Sequence, residues 1–195
     1  MRLRSLALAA LLPCMAAPLP SGSGKVLGVA TAPVTIELYS SFACTHCREF
    51  HNTILPRLVK DYVDRGKVSV ISRECFNPNA PGARDAAQYA TAAARIGKYQ
   101  EVAEALFKKQ SDWMANGRVW DAVAGVLTLA EQKTVQALAK DPAIAAEVQR
   151  DLTEANAGGI TQTPTIIIRR GAKHYPFAGV PNYQLVSSLL NDMLK

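Results

Sequence analysis

The sequence predicts an α/β protein whose middle section is entirely helical. Three observations lead to this class: a strand, a helix and a second strand follow one another over residues 34–73, residues 82–157 are Ala-rich and helical, and an apolar strand returns at residues 165–169. The chain has 195 residues, of which 49% are hydrophobic and 19% charged. This composition is sufficient for one sizeable core and excludes a disordered or collagen-like chain.

The first 24 residues have the pattern of a secretory signal peptide followed by a linker. Arg2 and Arg4 precede the apolar run Leu6 to Ala17, and a Pro/Ser/Gly stretch continues to Gly24. The run is shorter than the roughly 18 apolar residues that a spanning helix needs, which favours a cleaved leader over a membrane anchor. We therefore expect an exported protein, either periplasmic or secreted.

Removal of this leader takes Cys14 with it and leaves Cys44, Cys47 and Cys75. Three cysteines are too few for a disulfide-rich scaffold, and their odd number indicates redox chemistry rather than structural cross-links. The net charge of +6 falls by two without the leader arginines, and no Lys/Arg cluster with interleaved aromatic residues occurs. We therefore expect no nucleic-acid partner.

The first strand is predicted at Val34 to Tyr39, which is rich in β-branched and aromatic residues. A helix follows from Cys44 to Arg65, where apolar residues recur every four positions, with a kink expected at Pro56 and an end at Gly66. Lys67 to Arg73 is the second strand. A strand, helix and strand in this order imply a parallel pair with a right-handed crossover.

Residues 82–157 form the predicted helical insertion. Breaks are expected near Gly97, at Asn116-Gly117 and at Asp141-Pro142, where an N-cap residue precedes a proline at the first helical position. Gly158-Gly159 ends the insertion. The sequence thus divides into a leader and linker (1–24), a first part of the α/β domain (25–81), the insertion (82–157) and a second part of the α/β domain (158–195).

The second part begins with a predicted strand, Thr165 to Arg169, which turns at Arg170-Gly171 into a short partner around His174 to Phe177. A last helix starts near Asn182. We expect its apolar stripe to pack on the sheet. The stripe consists of Leu185, Val186, Leu189, Leu190 and Met193.

The motif Cys44-Thr45-His46-Cys47 follows the first strand and opens the first helix. Residues three apart share a helix face, with Cβ atoms roughly 5–6 Å apart, so the two cysteines can close a disulfide with little adjustment. At the helix N-terminus, free N–H groups and the positive end of the dipole favour the Cys44 thiolate. A helix terminus supplies only about 0.3–2 kcal/mol, whereas a thiol pKa of about 3.5–7 requires roughly 2–7 kcal/mol. Hydrogen bonds from Cys47 and from the His46 side chain are expected to supply the difference.

The segment from Phe42 to Cys47, a helical insertion, and then Gly159 to Thr165 before an apolar strand together resemble the DsbA-like thiol:disulfide oxidoreductases of the thioredoxin superfamily. The resemblance covers the chain from about Ala32 to Lys195. It implies a thioredoxin fold with an inserted all-helical domain. It also implies that Cys44 is the exposed nucleophile and Cys47 its buried partner. In this family, a histidine before the second cysteine, here His46, accompanies strong oxidants.

The resemblance further implies a cis peptide bond before Pro164, beside the cysteines. The Thr163 backbone would then be open to an extended substrate peptide, which can pair with it by strand addition. We therefore take Thr163, Pro164 and Thr45 as substrate-binding residues. Family members often carry a buried acid six residues before the first cysteine, where this chain has Leu38, and strand alternation turns the neighbouring Glu37 to the other side.

The leading hypothesis is an exported oxidase that exchanges a Cys44–Cys47 disulfide with cysteine pairs of other exported proteins. The expected partners are these cysteine-containing clients and a separate, membrane-bound redox partner that reoxidises the pair. No dissociable cofactor and no metal are required. A reductase or isomerase on the same fold, a carrier of a soft metal ion such as Cu(I) held by the dithiol and His46, and a non-catalytic interaction module remain as alternatives.

Three further residues have two interpretations each. Cys75 follows the second strand, so it is either an inert thiol or a third redox thiol near the pair. His51 and His174 are expected at the surface. A zinc site on Cys44 and Cys47 would have to take its further ligands from Cys75, His46, His51 or His174.

Overall fold

A computed structural model describes residues 24–195, so residues 1–23 of the predicted leader lie outside the described part of the chain. Its centre is a mixed five-stranded sheet with the order β1-β3-β2-β4-β5. The strands are β1 (Val26–Leu27), β2 (Val34–Ser40), β3 (Val68–Glu74), β4 (Thr165–Arg170) and β5 (Lys173–Ala178). Strands β2 and β3 are parallel, and every other neighbouring pair is antiparallel.

Two groups of helices accompany the sheet. The first group belongs to the α/β part and comprises α1 (Thr45–Thr53), α2 (Leu55–Leu58), a π-helical turn (Val59–Val63) and the last helix α9 (Tyr183–Met193). The second group lies between β3 and β4 and comprises α3 (Ala83–Ala94), α4 (Tyr99–Lys108), α5 (Gln110–Asn116), α6 (Val119–Ala124), α7 (Leu129–Ala139) and α8 (Pro142–Ala157). Within residues 24–195, no helix is long and apolar enough to cross a membrane.

This arrangement confirms the expected thioredoxin fold with an inserted all-helical domain. The predicted helix after β2 is interrupted at Ile54, two residues before Pro56, because proline has no N–H to continue the ladder. Asp141 caps α8 by accepting from the Ala143 N–H at 2.8 Å, as the Asp-Pro signal predicts. The four-part division of the chain by residue number stays a prediction.

The core has two main parts. One lies between the sheet and the helices α1, α2 and α9, and includes Ile36, Leu38, Phe50 and Leu190. The other lies among the helices of the insertion and includes Cys47 from α1. Helix α1 therefore packs against both parts.

One element was missed by the sequence analysis, and one expectation about packing was wrong. Strand β1 was not predicted, because its two residues are too short for a periodic signal, and it is placed by pairing with β3. Leu185 does not pack on the sheet but is 58% exposed. The buried face of α9 instead carries Tyr183, Val186 and Leu190, whose spacing of three and four residues leaves position 185 on the outer side.

Candidate active site

The two cysteines of the motif lie at the start of α1 in opposite environments. Cys44 is the N-cap residue, with an extended backbone (φ −97°, ψ 124°), and is half-buried. Cys47, inside the first turn, has no exposed surface. Both are free thiols in this structure, which therefore represents the reduced form. One sulfur is accessible to a partner and the other is not.

The environment of Cys44 lowers the pKa of its thiol to about 5. The largest contribution is a hydrogen bond from the Cys47 thiol, and further hydrogen bonds come from the Thr163 side chain and the backbone N–H groups of Cys47 and His46. Partial burial acts in the opposite direction. The helix start thus contributes through specific N–H groups, and the side chains of Cys47 and Thr163 add to them.

The pKa of the Cys47 thiol is raised far above its ordinary value. Its hydrogen bond to Cys44 holds the proton on Cys47, and burial adds to this effect because the apolar surroundings disfavour a charged sulfur. The Ser41 N–H donates to this sulfur at 3.4 Å, and the Ser40 hydroxyl beside it also favours the thiolate. In the reduced form, the negative charge of the pair therefore resides on Cys44.

The loop before β4 supplies the other side of the site. The Thr163–Pro164 peptide bond is cis, as the resemblance implies. The Cys44 sulfur lies 3.3 Å from the Thr163 carbonyl oxygen, to which it donates a hydrogen bond only when the thiol is protonated. Pro164 is buried, and the antiparallel register between β2 and β4 begins only at Thr165, so the Thr163 backbone is not part of the sheet.

The two residues between the cysteines are both exposed. Within the described chain, the side chains of Thr45 and His46 make no hydrogen bond. His46 acts on the Cys44 sulfur through its backbone N–H, so the expected hydrogen bond from the imidazole is not part of this site.

Gln110 of α5 is a site residue that the sequence did not identify. Its side-chain N–H₂ group donates to the Phe42 carbonyl at 2.6 Å and to the Cys44 carbonyl at 3.0 Å. The insertion thereby fixes the backbone of the cysteine loop from across 66 residues of chain. The signal for this role is that Gln110 is buried, which is unusual for a glutamine. The periodicity of the sequence does not reveal that burial.

An open groove of about 380 Å³ lies beside Cys44. None of its lining side chains is charged. They are Ser41, Ala43, Cys44, Cys75, Phe76, Asn77, Ala80, Asn156, Ile160, Thr161, Gln162 and Thr163. Cys75 lies in the same groove as Cys44, but burial raises the pKa of its thiol, which keeps it protonated and less reactive.

The position of the buried family acid has no carboxylate here. Leu38 is completely buried in the core, while Glu37 points to the opposite face of the sheet and accepts from the Arg169 Nε at 2.9 Å. The prediction from strand alternation is confirmed. Glu37 is therefore engaged away from the two cysteines.

The remaining histidines differ from each other. His174 on β5 is exposed, as predicted. His51 is not simply a surface residue: its ring lies 4.2 Å from that of Phe107, and burial lowers its pKa to about 4. In the described part of the chain, no three His, Cys, Asp or Glu side chains are arranged to hold a metal ion.

Comparison with known proteins agrees with this geometry. A thioredoxin family model matches residues 21–178. Over 159 residues the chain is 29% identical to disulfide bond formation protein D of Bacillus subtilis, covering 76% of this chain and 69% of that protein. It is also 27% identical over 93 residues to a putative protein-disulfide oxidoreductase of Rickettsia bellii, covering 48% of this chain and 35% of that protein.

Solved structures give the same result for the fold. A cysteine-to-alanine variant of alpha-DsbA1 from Wolbachia pipientis superimposes with a TM-score of 0.75 at 25% identity, covering 91% of this chain and 92% of that one. Oxidised BdbD from Bacillus subtilis superimposes with a TM-score of 0.74 at 24% identity, covering 87% and 92%. The chain therefore belongs to the thioredoxin superfamily, and within it to the DsbA-like protein thiol:disulfide oxidoreductases.

Proposed function

We propose that this protein is an exported oxidase that passes a Cys44–Cys47 disulfide to cysteine pairs of other exported proteins. The observation that carries the proposal is the division of roles within the motif. An accessible sulfur at the N-cap of α1 is held as a thiolate, and its partner is buried and protonated.

The exchange begins on the oxidised form. A substrate thiolate attacks the Cys44 sulfur, the only accessible one of the pair, and a mixed disulfide forms while Cys47 leaves as a thiolate and takes up a proton. The second substrate thiol then attacks its own sulfur in the mixed disulfide. The substrate leaves as a disulfide, and Cys44 leaves as a thiolate that the surrounding hydrogen bonds stabilise.

The direction of the exchange follows from the same hydrogen bonds. The groups that stabilise the Cys44 thiolate act only in the reduced form, since the disulfide carries no charge to stabilise. A stabilised dithiol makes the disulfide a stronger oxidant, by about 30 mV for each 1.4 kcal/mol. This favours an oxidase over a reductase, and His46 serves it through its backbone N–H.

Substrate binding is assigned to the uncharged groove and the loop before β4. The Thr163 backbone lies next to the Cys44 sulfur and outside the sheet, so an extended peptide can add to it as a strand. Pro164 is buried at the end of this loop, and Thr45, the residue after Cys44, is exposed. A groove without charged side chains suits an unfolded segment around a client cysteine.

Export and reoxidation complete the proposal. The apolar run in residues 6–17 supports export from the cytoplasm. Disulfides persist in the oxidising compartments outside it. Each turnover leaves the pair reduced, and two electrons must pass to an acceptor before the next. We assign this step to a separate membrane-bound redox partner.

The proposal is tested by the reduction potential of the pair at equilibrium with glutathione. We expect a value well above that of thioredoxin, about −270 mV, and closer to that of the strongest oxidants of the family, about −120 mV. The Cys75→Ala variant is the matched control, since it keeps the pair and removes the third thiol. A potential near −270 mV in both proteins would reject the oxidase and favour the reductase.

A further inference from the structure

A small internal cavity lies next to Ser40, between the ends of β2 and β3 and the helices α1 and α4. Its volume of about 10 Å³ is room for about one water molecule. The lining residues are Ser40, Phe42, His51, Ser72, Arg73, Glu74, Tyr99 and Phe107.

Three residues that line this cavity have a buried polar atom without a hydrogen-bond partner among residues 24–195, namely Ser40 Oγ, Arg73 Nε and Glu74 Oε1. Ser40 and Glu74 are register partners on the parallel strands β2 and β3, so their side chains lie on the same face of neighbouring strands. Ser40 also stands beside the Cys47 sulfur. Unpaired buried polar atoms are costly, which indicates a role other than stability.

Three buried carboxylates surround Lys25, and of these Glu74 is the one without a close cation. Lys25 lies 2.7 Å from Asp151 but 3.9 Å from Glu74, and Glu147 is bonded to Arg95. The charge of Lys25 nevertheless favours the ionised Glu74 carboxylate, against the effect of burial.

The titration of Glu74 suits the exchange of a proton near neutral pH. Burial raises its pKa to about 8, and the charges of Asp151 and Glu147 add to this, while Lys25 lowers it. The other titratable groups facing the cavity are less suitable. His51 has a pKa of about 4, and burial raises the pKa of Tyr99 well above its ordinary value. Arg73 stays charged, because its pKa is raised: burial lowers it, but the contact with Asp151 more than compensates.

Cys47 needs such a group because its sulfur has no contact with solvent. When the reduced pair forms a disulfide, Cys47 must lose its proton, and when the disulfide opens it must regain one. The strongest cause that holds this proton is the hydrogen bond to the Cys44 thiolate. That bond disappears once Cys44 is part of a mixed disulfide, so the proton is then released more easily.

We propose that the Glu74 carboxylate accepts the Cys47 proton through the Ser40 hydroxyl and the cavity, and returns it when the disulfide opens. In the closing step, the Cys47 sulfur forms a bond to the Cys44 sulfur and the bond to the foreign sulfur breaks. That sulfur leaves as a thiolate with the electron pair, and the proton of Cys47 ends on Glu74. This step rests on the proposed function and deepens it.

The test separates the two steps of the reaction between the reduced protein and oxidised glutathione. Rapid acid quenching and mass spectrometry follow the mixed disulfide on Cys44 as it forms and as Cys47 displaces glutathione. In Glu74→Gln and in Ser40→Ala we expect the displacement to be slowed by about ten-fold or more and to lose its inflection near pH 8. Formation of the mixed disulfide should change by less than about two-fold, because it depends on Cys44.

Glu147→Gln is the matched control. Glu147 is a buried carboxylate that also faces Lys25, but it does not line the cavity. We expect it to keep the wild-type displacement rate at high pH and to keep the inflection, moved to lower pH because the Glu147 charge no longer raises the pKa of Glu74. If Glu74→Gln does not fold, as judged by circular dichroism, Ser40→Ala decides through its pH profile. A slower rate alone would follow from losing the hydroxyl beside the Cys47 sulfur, whereas loss of the inflection near pH 8 reports on Glu74. A wild-type displacement rate and pH profile in folded Glu74→Gln or in Ser40→Ala would overturn the proposal. Failure to form the mixed disulfide in the wild-type protein would instead count against the proposed function.

Discussion

The thiols of Cys44 and Cys47 lie on two sides of the active site, here called the front and the back, and their environments shift the two pKa values in opposite directions. At the front, Cys44 faces an uncharged groove and receives hydrogen bonds that lower its pKa to about 5. At the back, Cys47 is fully buried, and its pKa is raised. The two residues are three positions apart on one helix. Reactivity is therefore set by how each sulfur is placed relative to the helix start and the core, not by residue type.

The two sides also depend on each other. The same hydrogen bond, from the Cys47 thiol to the Cys44 sulfur, is the largest cause of both pKa shifts, and it acts in opposite directions on the two groups. A change on one side must therefore appear on the other. Substitution of Cys47 removes this hydrogen bond, and substitution of Thr163 removes a smaller contribution to the Cys44 thiolate.

The largest effect is expected from Cys47→Ala. This variant removes the strongest contribution to the Cys44 thiolate, so the pKa of Cys44 should rise from about 5. Because fewer molecules are then ionised, alkylation of Cys44 at pH 6 should slow by about ten-fold. The measurement is the rate of reaction with iodoacetamide over a pH series.

Cys75→Ala serves as the comparison for this variant, since it removes a thiol of the same groove that makes no contribution to the Cys44 shift. Its pH profile should match the wild type. An unchanged Cys44 profile in Cys47→Ala would show that the backbone N–H groups suffice and that the two sides are independent.

A smaller effect is expected from Thr163→Val. Valine keeps the shape of threonine and the carbonyl oxygen 3.3 Å from Cys44, and it removes only the hydroxyl that favours the thiolate. The pKa of Cys44 should rise less than in Cys47→Ala, with a change in alkylation rate at pH 6 of about three-fold or less. A larger rise than in Cys47→Ala would reverse the order of contributions described above.

Local signals in the sequence were sufficient for most elements. Asp141 before Pro142 and Asn182 before the last helix are capping residues, whose side chains reach backbone groups two or three positions away. The cysteine motif was found for the same reason, because its geometry is set within one helical turn. The cis bond before Pro164 was implied by the family resemblance and not by the residues themselves.

The missed features depend on contacts between distant parts of the chain. Gln110 reaches the Phe42 carbonyl across 68 residues, and Ser40 meets Glu74 only because β2 and β3 pair in this register. His51 was expected at the surface, but the aromatic ring of Phe107 covers it from another helix. No pattern within a short window of sequence encodes such contacts.

The central claim is that the Cys44 sulfur is held as a thiolate, and a direct titration of the reduced protein tests it most simply. The ultraviolet absorbance of the thiolate should fall through a midpoint at about pH 5 as the solution is acidified, and this signal should be absent from Cys44→Ala. A midpoint near 8.5, the value of an unperturbed cysteine, would contradict the account.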